Sequence, residues 1–235
     1  MKTNPQFCGG AHSRALTVLR SPRARQMRLA VDPRDGSVRL TLPRRAQIDH
    51  GLHWAETKRG WIEAQLARLP VAVPVVHGMR FEVAGEMLGL DWSEHHPRKP
   101  VRHHGCLQIG GPAERLEARL LRWLKDEARA LLDLETQEFA AKIRVIVPPI
   151  SIGDPVSRWG SCASSGQIRY SWRLILAPSF VRRATVAHEV AHRVHMNHGA
   201  QFHALVKTIL GEDPDLARKW LRANGSTLHW FGRSS

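Results

Sequence analysis

The chain has 235 residues, 43% of them hydrophobic, which is enough to bury a core and excludes a disordered polymer. Its three cysteines (Cys8, Cys106, Cys162) are odd in number, widely spaced and form no C-x-x-C pair, which argues against a disulfide scaffold or a cysteine-ligated zinc site. The net charge of +14 admits a polyanion partner, but arginine outnumbers lysine 28 to 7 along the whole chain, a bias that codon usage also produces.

Residues 1–14 read as a mobile leader that lacks the apolar core of a signal peptide. No apolar run approaches the roughly 18 residues of a membrane span, so a cytoplasmic protein with no membrane partner is expected. From Ala15 the pattern turns extended, with Leu16 and Val18, then Met27–Val31, a turn at Asp32–Gly36 and Val38–Leu42; apolar alternation around Asp-Gly predicts a hairpin. Trp54 to Leu69 predicts a helix ended by Pro70. Phe81–Val83, Met87–Leu90 and Leu107–Ile109 are predicted strands. His95 to His104 holds four histidines without a helix to orient them, and reads as an exposed loop.

Glu114 to Ile143 is the longest predicted helix, with Leu116, Leu120, Leu121, Leu124, Ala128, Leu131 and Leu132 as its apolar stripe. Arg144–Val147 reads as a strand stopped by Pro148-Pro149. Gln167–Ala177 alternates as a second strand after a turn at Ala163–Gly166, forming a hairpin that feeds the next helix. Further helices are predicted from Phe202 to Leu210 and from Asp213-Pro214 to Ala223, with Asp213 as cap. The tail holds Leu228, Trp230 and Phe231, apolar enough to pack back. Residues 15–111 thus read as a β-rich region and 112–235 as a helical core, the two forming one continuous unit.

The chemistry concentrates in His188-Glu189-Val190-Ala191-His192. Side chains four apart on a helix lie one turn above each other, so both imidazoles leave one face and suit a tetrahedral zinc. Glu189 is then placed to take a proton from metal-activated water. Ala184, Ala187, Ala191 and Val194 fall at helical spacing beside the histidines, and Pro178-Ser179 offers a helix start. The plain alternative is a structural helix with two surface histidines, but a buried Glu between them is costly without a metal or partner.

Four residues compete to be the third ligand. His198 follows a predicted helix end at Asn197–Gly199. His195 would sit about 10.5 Å along the axis from His188 if the helix ran straight. His203 would project from the next helix, and Glu212 is already explained by a loop and helix start. Upstream, Trp159 is expected to pack and Gly160 to permit close backbone approach. Arg158 either pairs with an acid or steadies substrate, Cys162 either packs or reaches the metal, and Tyr170, Arg173 and His203 are candidate transition-state or substrate contacts.

The ordered string R-W-G-S-C (Arg158–Cys162), G-x-I (Gly166, Ile168), W-R-L-I-L-A-P (Trp172–Pro178), H-E-V-A-H and N-H-x-x-x-F (Asn197, His198, Phe202) closely resembles the YgjP-like metallopeptidase family, a relative of SprT- and WLM-type zinc protease domains. The chain departs from that pattern at Arg193 and His203. The resemblance implies one Zn2+ held by His188, His192 and His198, with Glu189 catalytic. It also implies an α+β fold with a gluzincin-like core, a β-hairpin or small sheet packed on the H-E-x-x-H helix, following an N-terminal β-hairpin and helix region. The expected activity is peptide-bond hydrolysis on a peptide or protein substrate, and a non-peptide amide would use the same residues. The rival readings are a basic nucleic-acid-binding protein with a structural zinc site, and an SprT-like protease recruited to DNA.

Overall fold

A computed structural model describes residues 4–155 and 157–233. The chain divides into two compact units, residues 1–74 with 229–235, and residues 75–228. In the first, β1 (Gln6–Gly9), β2 (His12–Ser21), β3 (Arg28–Val31) and β4 (Val38–Pro43) form a sheet of order β1-β2-β4-β3. The predicted hairpin is β3–β4, antiparallel, and β2 joins β4 in parallel. Alternation decides which face is covered: Val38, Leu40 and Leu42 are fully buried, against Ala55, Ile62 and Leu66 of two helices, α1 (Ile48–Thr57) and α2 (Arg59–Ala67). The single helix expected from Trp54 to Leu69 is therefore corrected to a pair. Lys58 leaves helical geometry (φ −103°, ψ 11°) and separates them.

A leader running to residue 14 is also corrected: β1 pairs with β2 from Gln6↔Ala15 to Gly9↔His12, and Phe7 is wholly buried. Residues 1–3 of that leader lie outside the described residues. The tail packs back as expected, within this first unit. Trp230 donates its indole N–H to Pro33 O (2.9 Å), its ring meets His12 at 4.8 Å, and Phe231 bridges Val73.

The second unit opens with a sheet of order β5-β6-β8-β7, made of β5 (Arg80–Val83), β6 (Glu86–Trp92), β7 (Val101–His103) and β8 (Cys106–Ile109). The three predicted strands are present. Part of the histidine-rich loop forms the edge strand β7, exposed at every residue. There follow the long helix α3 (Leu116–Lys142), a three-stranded sheet of order β10-β11-β9, and three helices. The strands are β9 (Ser151–Gly153), β10 (Gly160–Cys162) and β11 (Ile168–Ser171); the helices are α4 (Ser179–Ala191), α5 (Ala200–Leu210) and α6 (Pro214–Leu228). The architecture is α+β, and no described helix is long and apolar enough to cross a membrane.

Two strand expectations fail here for backbone reasons. Arg144 sits at φ +55°, which ends α3 in a turn, and the strand forms later as β9. The run Gln167–Ala177 is strand only to Ser171, whose hydroxyl accepts the Arg173 N–H (3.3 Å) and starts a 3-10 turn over Trp172–Leu176.

What holds α4 against α3 is ionic as well as apolar. Leu116, Leu120, Leu124, Ala128 and Leu132 form the buried stripe of α3, and one turn further Glu135 is buried too. Arg182 of α4 donates to both of its carboxylate oxygens at 3.0–3.1 Å, and each residue is only 4% exposed. Removing one partner strands a buried charge, which costs about 3–5 kcal/mol, whereas replacing both with apolar groups is often neutral. Glu135→Leu is therefore expected to destabilise the protein by about that amount in urea unfolding, and adding Arg182→Met to restore most of it. A double variant as unstable as the single one would show that the pair is not the cause.

Candidate metal centre and active site

α4 begins at Pro178-Ser179, as expected, and presents His188 and His192 one turn apart. The helix ends at Ala191, earlier than the sequence suggests, and His192 itself caps it. A tight turn follows, and His192 Nδ1 meets the His195 carbonyl at 3.0 Å. With the ring N–H on Nδ1 donated there, Nε2 keeps its lone pair for a ligand. The turn returns the chain so that His198 faces the other two imidazoles, with His198 Nε2 3.1 Å from His188 Nε2. The ligand atoms of His188, His192 and His198 all lie within 4.8 Å of one another.

The 3.1 Å between His188 and His198 matches two ligands of one zinc ion, since tetrahedral bonds of about 2.0–2.1 Å place two ligand nitrogens about 3.3 Å apart, and the wider separations within the group would close on binding. Among the described residues no other His, Cys, Asp or Glu joins this group, so His195, His203, Glu212 and Cys162 are not part of it. Phe202 is the shared floor. Its ring centroid lies 4.8, 4.6 and 4.7 Å from those of His188, His192 and His198, and it is 1% exposed. Burial, and then the neighbouring imidazoles, push His188 down to about 4, which keeps it in the neutral form a metal requires.

Glu189 lies against Gly160 of β10 and is 5% exposed. Gly160 makes room for it: a Cβ there would stand 2.6 Å from Glu189 Oε1. Burial raises its carboxyl to about 7, against the opposing pull of the Arg158 charge and a hydrogen bond from the Cys162 backbone N–H. Next to it lies a cleft of about 210 Å³. His188, Glu189 and His203 border it, Trp159, Ala184, Val206, Ala217 and Leu221 make its apolar wall, and Arg218 of α6 stands at its edge, paired with Asp215.

The sequence-nominated contacts separate cleanly. His203 lies on the cleft, and Arg158 is exposed within electrostatic reach of Glu189. Tyr170 and Arg173 are corrected. Tyr170 is fully buried with its hydroxyl 3.1 Å from Thr136 Oγ1, and burial pushes its pKa up. Arg173, 6% exposed, clamps Asp154 (2.8 and 3.0 Å) and donates to Leu228 O (2.6 Å), so its guanidinium is spent on structure. Trp159 packs as expected, against Ala177, Val181 and Ala184. Arg193 folds over the hairpin turn, close above Gly166, and donates to Ile146 O (3.2 Å). Phe202 as floor and α6 as wall were beyond sequence reasoning, because their helical periodicity signals only burial.

A carboxyl whose pKa moves from 4.5 to about 7 on folding opposes folding once ionised. Below pH 4.5 it is protonated folded or unfolded and costs nothing; the cost grows between 4.5 and 7 and is constant above. In the metal-free protein, Glu189→Gln is thus expected to be more stable than the parent, and the gap to widen by about 2 kcal/mol from pH 5 to pH 8. Denaturant unfolding at the two pH values measures it, and an unchanged gap would contradict the burial of the charge.

A family model described as YgjP-like, metallopeptidase domain, matches residues 25–224. Comparison with curated proteins and with solved structures gives no match. The matched span includes the three imidazoles, Glu189, the β10–β11 hairpin over it and Phe202 beneath the imidazoles. By that match the chain belongs to the YgjP-like metallopeptidase family.

Proposed function

We propose that this protein is a zinc-dependent peptidase with a gluzincin-like core, in which His188, His192 and His198 hold one Zn2+ and Glu189 is the general base. The observation that carries this reading is the convergence of three imidazoles beside a buried carboxyl on an open cleft. When bound, the metal supplies Lewis-acid polarisation of the scissile carbonyl and of the attacking water.

Glu189 does the proton work. Its carboxylate takes a proton from the water, and the resulting carboxylic acid returns it to the departing amine; a pKa near 7 suits both directions. The Cys162 N–H keeps that carboxyl oriented, and the Arg158 charge keeps part of it ionised at neutral pH. His203, at the cleft, is the candidate to hydrogen-bond the substrate. The wall formed by Trp159, Val206 and Leu221 excludes water from the reacting groups.

A structural zinc would need a fourth protein ligand, and none of the described His, Cys, Asp or Glu residues joins the three histidines. A zinc held by these three alone would keep a position for water or substrate, which favours a catalytic centre.

Two experiments test the assignment. Glu189→Gln is expected to keep zinc stoichiometry, measured by mass spectrometry of the metal, while hydrolysis of a peptide library falls about 10²- to 10⁴-fold. Turnover equal to the parent's would overturn the role of Glu189. His198→Ala is expected to lose zinc as severely as His192→Ala, with His195→Ala and Glu212→Ala near the parent. Full zinc retention in folded His198→Ala would remove it from the ligand set.

A further inference from the structure

The first unit holds 14 Lys and Arg against 5 Asp and Glu, so +9 of the chain's +14 falls within 81 residues. Four of its acids are already engaged: Asp32 and Asp35 with arginines of the β3–β4 hairpin, Glu56 and Glu63 with Arg59. Among the described residues, the side chains of Arg23, Arg25, Arg28 and Lys58 make no ion pair. Arg28 and Lys58 line a groove of about 440 Å³ with Met27, Leu29, Trp54 and Trp61, and Arg23 and Arg25 precede Met27 in the chain.

The groove runs between the sheet edge β3 and the α1–α2 pair. Trp54 of α1, Lys58 at the break and Trp61 of α2 all line it, so two indoles and one ammonium share its wall. Trp61 is 47% exposed, a large aromatic surface left in water beside that charge.

We propose that this groove binds single-stranded nucleic acid, with Trp61 and Trp54 stacking bases and Arg28 and Lys58, backed by Arg23 and Arg25, holding phosphates. Indole faces accept any base, and the cations supply the phosphate attraction that sets affinity. A duplex keeps its base faces stacked internally and offers the indoles nothing. A proline-rich peptide also docks on exposed tryptophans but needs no cations beside them, so the unpaired charge decides for nucleic acid. The inference is independent of the metal centre.

The test uses the full chain and a fluorescein-labelled 12-nucleotide single strand of mixed sequence, with its duplex as control, by anisotropy between 50 and 200 mM NaCl. Four phosphate contacts predict that log K falls with log salt at a slope of about −2.8. Trp61→Ala is expected to weaken binding about tenfold with the slope unchanged, because stacking is lost and charge is not. Arg28→Ser with Lys58→Ser is expected to reduce the slope by about 1.4. Circular dichroism of both variants checks that the exposed substitutions leave the fold intact. The proposal is overturned by absent single-strand binding at 50 mM, by duplex binding as tight as single-strand binding, by equal affinity in all three proteins, or by salt-independent capture of a proline-rich peptide instead.

Discussion

The site depends on where one helix stops. Two imidazoles one turn apart on α4 define only two corners of a metal site, and a straight helix carries the next residues away from them. Ending α4 at Ala191 turns the chain back, and the bond from His192 Nδ1 to the His195 carbonyl ties the second imidazole to the turn that brings His198 into place. One hydrogen bond thus orients a candidate ligand, selects its tautomer and closes the loop. Phe202, reached four residues later on α5, fills the space under all three rings, so none can tilt away without opening a void.

This arrangement needs a rigid α4, and its two sides are fixed by opposite means. Toward α3 the contact is the buried Arg182–Glu135 pair, a directional clamp between helices whose partners stand 47 positions apart. Toward β10 it is close approach, with glycine at position 160 so that the strand lies against Glu189. The second contact has an electrostatic consequence. The backbone that covers Glu189 removes it from water and raises its pKa, while contributing the Cys162 N–H that stabilises its ionised form. Stability is given up at this carboxyl in return for a proton acceptor matched to neutral pH.

Local chemistry was legible in the sequence, and long-range geometry was not. The H-E-x-x-H spacing, most of the apolar stripe of α3 and the β3–β4 hairpin depend on neighbours within a few residues, and these readings agree with the fold; the close approach expected at Gly160 is there too, but its partner, Glu189, lies 29 positions away. Asp213 acts as the expected cap, accepting the Asp215 N–H at 3.0 Å. The end of α4 falls several residues before the Asn197–Gly199 break because neither Gly nor Pro marks Ala191; the His192 imidazole bonding the His195 carbonyl accompanies the turn instead. Tyr170 and Arg173 are candidate contacts that fall in an alternating run, and alternation does not say which face meets solvent. Their partners, Thr136 and Asp154, come from other elements. Trp54 and Trp61 fall near the spacing of one helix, yet the chain breaks at Lys58 and Trp61 is half in water.

The proposed function rests on three imidazoles, with no fourth protein group, holding a catalytic zinc. X-ray absorption at the zinc edge of the metal-loaded protein addresses it most directly. Three histidine nitrogens and one non-protein oxygen, all at about 2.0–2.1 Å, are expected. A sulfur at about 2.3 Å, or a fourth histidine in place of the oxygen, would make the site closed and structural and would contradict it.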